Sequence, residues 1–146
     1  MNTFMKQAIL EAEKGLRSGG IPIGSVLVRH GKIVGRGHNR RIQNDSAILH
    51  AEMDAIENSG RQTADFYSEC EIYTTLSPCS MCSGAILLYG IKKVIIGENE
   101  TFVGEEELLR SRGVDLVVLN NAQCKTMMAG FIKNHYDLWN EDIGEE

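Results

Sequence analysis

The stretch EIYTTLSPCSMCSGAILLYG, Glu71 to Gly90, decides the architecture. Its opening, Glu71 to Thr75, is rich in β-branched and aromatic residues and short, as a buried strand is. From Met81 to Tyr89 it is apolar and too long for the same strand. Pro78 opens that second part, and proline is favoured at the first position of a helix because its missing N–H would go unpaired there anyway. The segment therefore reads as a strand feeding directly into a helix from Pro78 to about Tyr89. Cys79 and Cys82 fall in the first helical turn, at i and i+3 on one face.

Working outward, apolar positions at helical spacing (Met5, Ile9, Ala12, Leu16) predict a helix from Phe4 to Leu16 that Gly19-Gly20 ends. Ile23–Val28 and Lys32–Gly37 read as two strands joined at His30-Gly31. A polar loop, Asn39 to Ser46, precedes a helix from His50 to Asn58, stopped by Gly60. Beyond the central segment the spacing predicts a strand at Lys93–Gly97, a helix at Glu105–Arg112, a strand at Val114–Leu119 and a helix at Ala122–Asn134. Strands alternating with helices after an opening hairpin predict an α/β sandwich, a mixed sheet with helices on both faces.

At 146 residues the chain fits one domain, 1–146, with a substantial core, and no repeat or low-complexity stretch interrupts it. Twenty acidic residues against fifteen basic ones give a net charge of −5, which counts against a nucleic-acid partner, since phosphate neutralisation needs a basic face. No apolar run approaches the roughly 20 residues that span a bilayer. Lys6, Glu11, Glu13 and Lys14 make the N-terminal segment unlike a signal peptide. A cytoplasmic location is expected, where thiols stay reduced, so the four cysteines are not read as disulfides. Cys70 and Cys124 stand alone and suit packing positions. The close pair, Cys79 and Cys82, reads as metal-binding or redox-active.

A helix N-terminus carries partial positive charge and favours thiolate, the form that binds zinc. His50, at the start of another helix and 29 residues before Cys79, is the third candidate ligand. His30, His38 and His135 lack ligand-like spacing. Three protein ligands leave a position for water, whereas structural zinc sites are closed by four. Glu52, two residues from the histidine, is a carboxylate free to take a proton from an activated water and pass it on.

His50-Ala51-Glu52 followed by Pro78-Cys79-Ser80-Met81-Cys82 resembles the His-x-Glu, Pro-Cys-x-x-Cys signature of the zinc nucleobase deaminases. Further blocks narrow the resemblance: Gly19-Gly20-Ile21-Pro22-Ile23-Gly24, Gly35-Arg36-Gly37-His38-Asn39, Thr74-Thr75-Leu76-Ser77, Gly84-Ala85-Ile86, Tyr89-Gly90-Ile91, Gly97-Glu98-Asn99 with Phe102, and the tail Trp139-Asn140-Glu141-Asp142-Ile143-Gly144-Glu145. Together they are similar to the fungal (yeast-type) cytosine deaminases, over about Ile9 to Glu145. The resemblance implies a three-layer α/β/α sandwich with a central mixed sheet of about five strands, one Zn2+ per chain, a homodimer, and hydrolysis of free cytosine to uracil and ammonia. It also implies roles. Asn39 and the backbone N–H of Ala51 would donate to the ring carbonyl O2, Glu52 would shuttle protons beside N3 and the amino group, and Asp142 would accept from N1–H. Phe102, Trp139 and Ile23 would wall the ring.

The chain departs from the fungal pattern at Ala51, where those enzymes have glycine, and at Ile42, where they have phenylalanine. The second change bears on pocket width, so a guanine deaminase or a deaminase of a modified pyrimidine is the alternative. Editing of adenosine in transfer RNA shares the metal motif, but the acidic ending Glu141 to Glu146 opposes a phosphate backbone. A zinc-stabilised interaction domain is the reading in which Glu52 does nothing.

Overall fold

The computed structural model describes residues 2–145; Met1, and Glu146 of the acidic ending, lie outside them. Helix α1 (Thr3–Arg17) is followed by β1 (Gly24–Arg29), β2 (Lys32–His38), α2 (Ala51–Asn58), α3 (Ala64–Ser68), β3 (Cys70–Leu76) and α4 (Ser80–Tyr89). Then come β4 (Lys93–Glu98), α5 (Glu106–Ser111), β5 (Asp115–Val118), α6 (Ala122–Asn134) and α7 (Tyr136–Asp142). The strands form one sheet in the order β2-β1-β3-β4-β5. β1 is antiparallel to β2 and to β3, while β3, β4 and β5 are parallel. The expected mixed sheet of five strands is thus present.

Alternation along the strands sorts the core into two layers. Leu27, Ile72, Val94 and Ile96 pack with Tyr67 of α3, Ile86 of α4 and Leu109 of α5. Val26, Val28, Tyr73 and Ile95 turn the other way, onto Met5, Ala8 and Ile9 of α1 and Cys124 of α6. Full burial of side chains such as Leu27, Ile72 and Ile86 contributes about 1.5–3 kcal/mol each. The lone thiols behave as packing groups: burial pushes Cys70 up to about 11 and Cys124 up to about 12. The predicted hairpin turns at His30 (φ 51°) and Gly31 (φ 75°), the paired left-handed residues of a two-residue turn whose twist matches the strands.

The structure corrects the helix starts. Pro78 precedes α4 rather than opening it, and Cys79 is the N-cap, with φ −68° and ψ 178°. His50 likewise caps α2, with φ −68° and ψ 162°. Two helices fall outside the predicted set. α3 is five residues long, too short for periodicity, and is held by Thr63 Oγ1 accepting from Phe66 N–H. α7 looks like an acidic tail in sequence and is anchored by the buried Trp139.

The register brings chemistry to one edge of the sheet. Gly24 pairs with His38, Ser25 with Thr74, and Thr74 with Ile96. The start of β1 therefore lies beside the ends of β2, β3 and β4. Ile23, Asn39, Cys79 and Phe102 all sit in the chain just beyond that edge, where open α/β sheets bind ligands.

Candidate active site

Helix N-caps are usually Ser, Thr, Asp or Asn, whose side chains fold back onto the first N–H groups. His50 and Cys79 occupy the caps of α2 and α4 and make no such bond. Their side chains turn instead towards each other. His50 Nδ1 lies 3.4 Å from Cys79 Sγ and 3.7 Å from Cys82 Sγ, and the three ligand atoms all lie within 4.8 Å of one another. With Zn–S of about 2.3 Å and Zn–N of about 2.05 Å, a tetrahedral ion would hold sulfur and nitrogen about 3.5 Å apart. The observed pair of distances brackets that value, so the donor set fits one zinc ion.

The other face of the imidazole is also occupied. His50 Nε2 is 3.4 Å from Asp142 Oδ1. A carboxylate on Nε2 favours the tautomer with its proton there, which leaves the Nδ1 lone pair to the metal. Among the described residues no carboxylate joins the ligand group. Glu52 stays out of it, buried in the first turn of α2. Three ligands with an acid alongside is the pattern of an open, catalytic site.

The charges are strongly coupled. The thiol of Cys82 and then the His50 ring, donating to Cys79, hold Cys79 down at about 4 against the effect of burial. Cys79 and burial in turn push Cys82 well above the ordinary thiol range. Burial would lower His50, but the Cys79 contact and the charges of Asp142 and Glu52 outweigh it and hold the ring up at about 9. Burial, then the charge on Cys79, raises Glu52 to about 7. Burial also raises Asp142. Without metal the cluster shares protons; a divalent cation competes for the same lone pairs and displaces them.

Beside the ligand group is a small cavity, about 280 Å³ only when the open solvent at its mouth is counted. His50, Glu52 and Cys79 form its polar floor. Ile23, Phe102 and Trp139 line it, the two aromatic rings meeting edge to face at 5.8 Å. The same side chains pack against Ala51, Met128 and Phe131, so they are wall and core at once. Asp142 reaches the cavity. Asn39 and Ala51, both fully buried, are not on its wall. Asn39 meets it through Asp142, donating from Nδ2 to Oδ1 at 2.9 Å.

Three lining residues were not singled out from the sequence: Leu76, Ser77 and Ile143. The first two end β3 and lead into the Cys79 cap, and Ile143 follows Asp142, so adjacency was the available signal. Ser77 Oγ donates to Glu106 Oε2 at 2.6 Å and accepts from Gly104 N–H at 2.8 Å. Ile42, expected to bear on pocket width, is exposed and does not line the cavity. The remaining histidines are engaged elsewhere: His30 with Glu69, His38 with the Asn39 carbonyl, His135 against Phe131.

Comparison with known proteins agrees with this geometry. The model of the cytidine and deoxycytidylate deaminase zinc-binding region matches residues 1–98. The chain is 54% identical over 142 residues to a cytosine deaminase of Candida albicans, covering 97% of this chain and 95% of that one. It is 45% identical over 107 residues to a tRNA-specific adenosine deaminase of Streptococcus pyogenes serotype M18, covering 72% and 67%. A solved structure from work on tRNA:A34 deaminases superposes with a TM-score of 0.73 at 25% identity, over 85% of this chain and 97% of that one. A guanine deaminase from Nitrosomonas europaea gives a TM-score of 0.68 at 19% identity, over 88% and 82%, a likeness of fold.

Proposed function

Because the chain belongs to the cytidine and deoxycytidylate deaminase zinc-binding family, we propose that it hydrolyses free cytosine to uracil and ammonia. One observation carries the choice of substrate. The similarity to the Candida albicans cytosine deaminase spans 97% of the chain, and so takes in Phe102, Trp139 and Asp142, which lie beyond the family's zinc-binding region.

His50, Cys79 and Cys82 would hold the zinc, which supplies a water acidic enough to lose a proton near neutral pH. Glu52 accepts that proton as the oxygen adds to C4 of the ring. It would pass that proton to N3, then take the second proton from the hydroxyl now on C4 and deliver it to the amino nitrogen, which leaves as ammonia while the C4 carbonyl forms. Ile23, Phe102 and Trp139 hold the ring flat and keep bulk water away. Asn39 and the Ala51 N–H donate to O2, and Asp142 accepts from N1–H. In a nucleoside N1 carries the sugar, so the Asp142 carboxylate would face no donor, a costly mismatch for a buried group. On this reading residues 1–146 act as one deaminase domain, in the cytoplasm, as a homodimer.

The test is ammonia release by the zinc-loaded protein from cytosine, 5-methylcytosine, isocytosine, guanine and cytidine. Cytosine should be turned over fastest, with cytidine slower by about 10⁴-fold in kcat/KM. Guanine or isocytosine outrunning cytosine would replace the proposed substrate while keeping the reaction.

A further inference from the structure

Asp54 is a buried carboxylate that the metal chemistry does not use. It lies in α2 four residues after His50, and its N–H donates to the His50 carbonyl at 2.9 Å. Its Oδ2 accepts twice, from His38 N–H at 3.1 Å and from Arg40 Nε at 2.8 Å. Those donors belong to the residues on either side of Asn39. Gly37 makes the approach feasible, because a Cβ there would come within 2.4 Å of Asp54 Oδ2. Arg40 adds a second tie to the metal end of α2, its N–H donating to the Leu49 carbonyl at 2.8 Å, one residue before His50. The Asn39 carboxamide is oriented in turn: Oδ1 accepts from Arg41 N–H at 3.0 Å and Nδ2 donates to Asp142. One hydrogen on Nδ2 is left for a ligand.

We infer that Asp54 and Arg40 are a pair of positioning residues that hold Asn39, at the end of β2, in register with His50 and Glu52 at the start of α2. The inference rests on the reading above, in which Asn39 donates to the base. Neither member of the pair lines the cavity; both act through Asn39, which itself meets the cavity through Asp142. Arg40 is two-thirds buried, and its guanidinium matches the charge of an otherwise buried carboxylate. Removing it leaves Asp54 with one backbone donor and frees the Asn39 loop on one side. A misplacement of about 1 Å at a positioning group is able to cost about 10²-fold. The α2 turn that carries Glu52 keeps its own backbone bonds, so the loss should fall on binding of the base rather than on proton transfer.

The experiment measures kcat, KM, zinc content and Tm for Arg40→Met, Arg40→Lys and Asp54→Asn, with Arg40→Met also placed in an Asn39→Ala background. Arg40→Met should raise KM for cytosine about tenfold with kcat within about twofold and zinc retained, since lost uniform binding appears in KM. Arg40→Lys, which keeps the charge, should recover most of that loss. In the Asn39→Ala background Arg40→Met should add less than about twofold, because both changes act on one contact. An unchanged KM in Arg40→Met overturns the inference. So does the same loss repeated on top of Asn39→Ala, or a fall in kcat and Tm at constant KM, the mark of a merely structural pair. The Arg40 variants keep the question answerable if Asp54→Asn does not fold. A wild-type protein silent on cytosine refutes the substrate reading instead, and the pair is then judged with whichever base of the panel the wild type turns over.

Discussion

At the scale of single residues, Glu52 separates a deaminase from a zinc-stabilised fold. It stands beside the ligand group without joining it, so its loss should cost chemistry and spare the metal. Glu52→Gln keeps the size and removes the proton acceptor; kcat should fall by about 10²–10⁴-fold, the range of general acid–base catalysis, with one zinc per chain by metal analysis. A kcat within tenfold of wild type would sink the assignment. Cys79 and Cys82 were legible as ligands because one metal ion imposes a short spacing on them, and Glu52, which is no ligand, because it follows His50 by two residues. Asp54 and Arg40 were not. A buried acid and a solvated one look alike in sequence, and the partners that make Asp54 tolerable, His38 N–H and Arg40, lie 16 and 14 residues away. The buried Glu98 and Glu106 are of the same kind. Glu98 accepts from Glu100 N–H at 2.8 Å and Thr101 N–H at 3.0 Å in the turn that leads to Phe102.

At the scale of elements, strands and long helices were readable from period and stop signals, and α6 starts at Ala122 as expected, but the starts of α2 and α4 were displaced by one and two residues. The cause is the caps. Pro78 as a start signal assumes that a conventional capping residue precedes it, whereas here the capping positions are given to His50 and Cys79. α7 lacked a capping signal, since His135 makes no side-chain cap, and it buries the polar Asn140 and Asp142 beside Trp139, which an apolar period does not reveal. Its role follows from what it carries. Trp139 and Asp142 reach the cavity from α7, while the three metal ligands come from the starts of α2 and α4. Ending the chain after His135 should therefore leave zinc at one per chain and lower kcat/KM for cytosine by at least about 10³-fold. Loss of the Trp139 packing costs about 3–5 kcal/mol, a Tm drop of about 6–20 °C. Wild-type turnover by the shortened chain would remove both Trp139 and Asp142 from the site.

At the scale of the whole molecule, sequence periodicity pointed to a mixed sheet under helices, but the strand order had to come from pairing across distant segments. That order is what lines up the start of β1 with the ends of β2, β3 and β4 and so gathers the site at one edge. The same layering leaves α4 oddly exposed. This helix has no charged residue, yet Gly84, Leu88 and Tyr89 face outward, and Leu88 is 75% exposed. A helix apolar on all sides is normally covered. Ile48 and Val103, at 56% and 62% exposure, add further bare apolar surface. A stable dimer hides about 800 Å² per partner, roughly a ninth of the 7397 Å² this chain exposes. If two copies meet through α4, sedimentation at micromolar concentration should give twice the 16.2 kDa chain mass, and Leu88→Glu should return the single-chain value, because burying an unpaired carboxylate in such a contact is costly. A wild-type chain sedimenting at 16.2 kDa would refute the homodimer, and a dimer that survives Leu88→Glu would move its face away from α4.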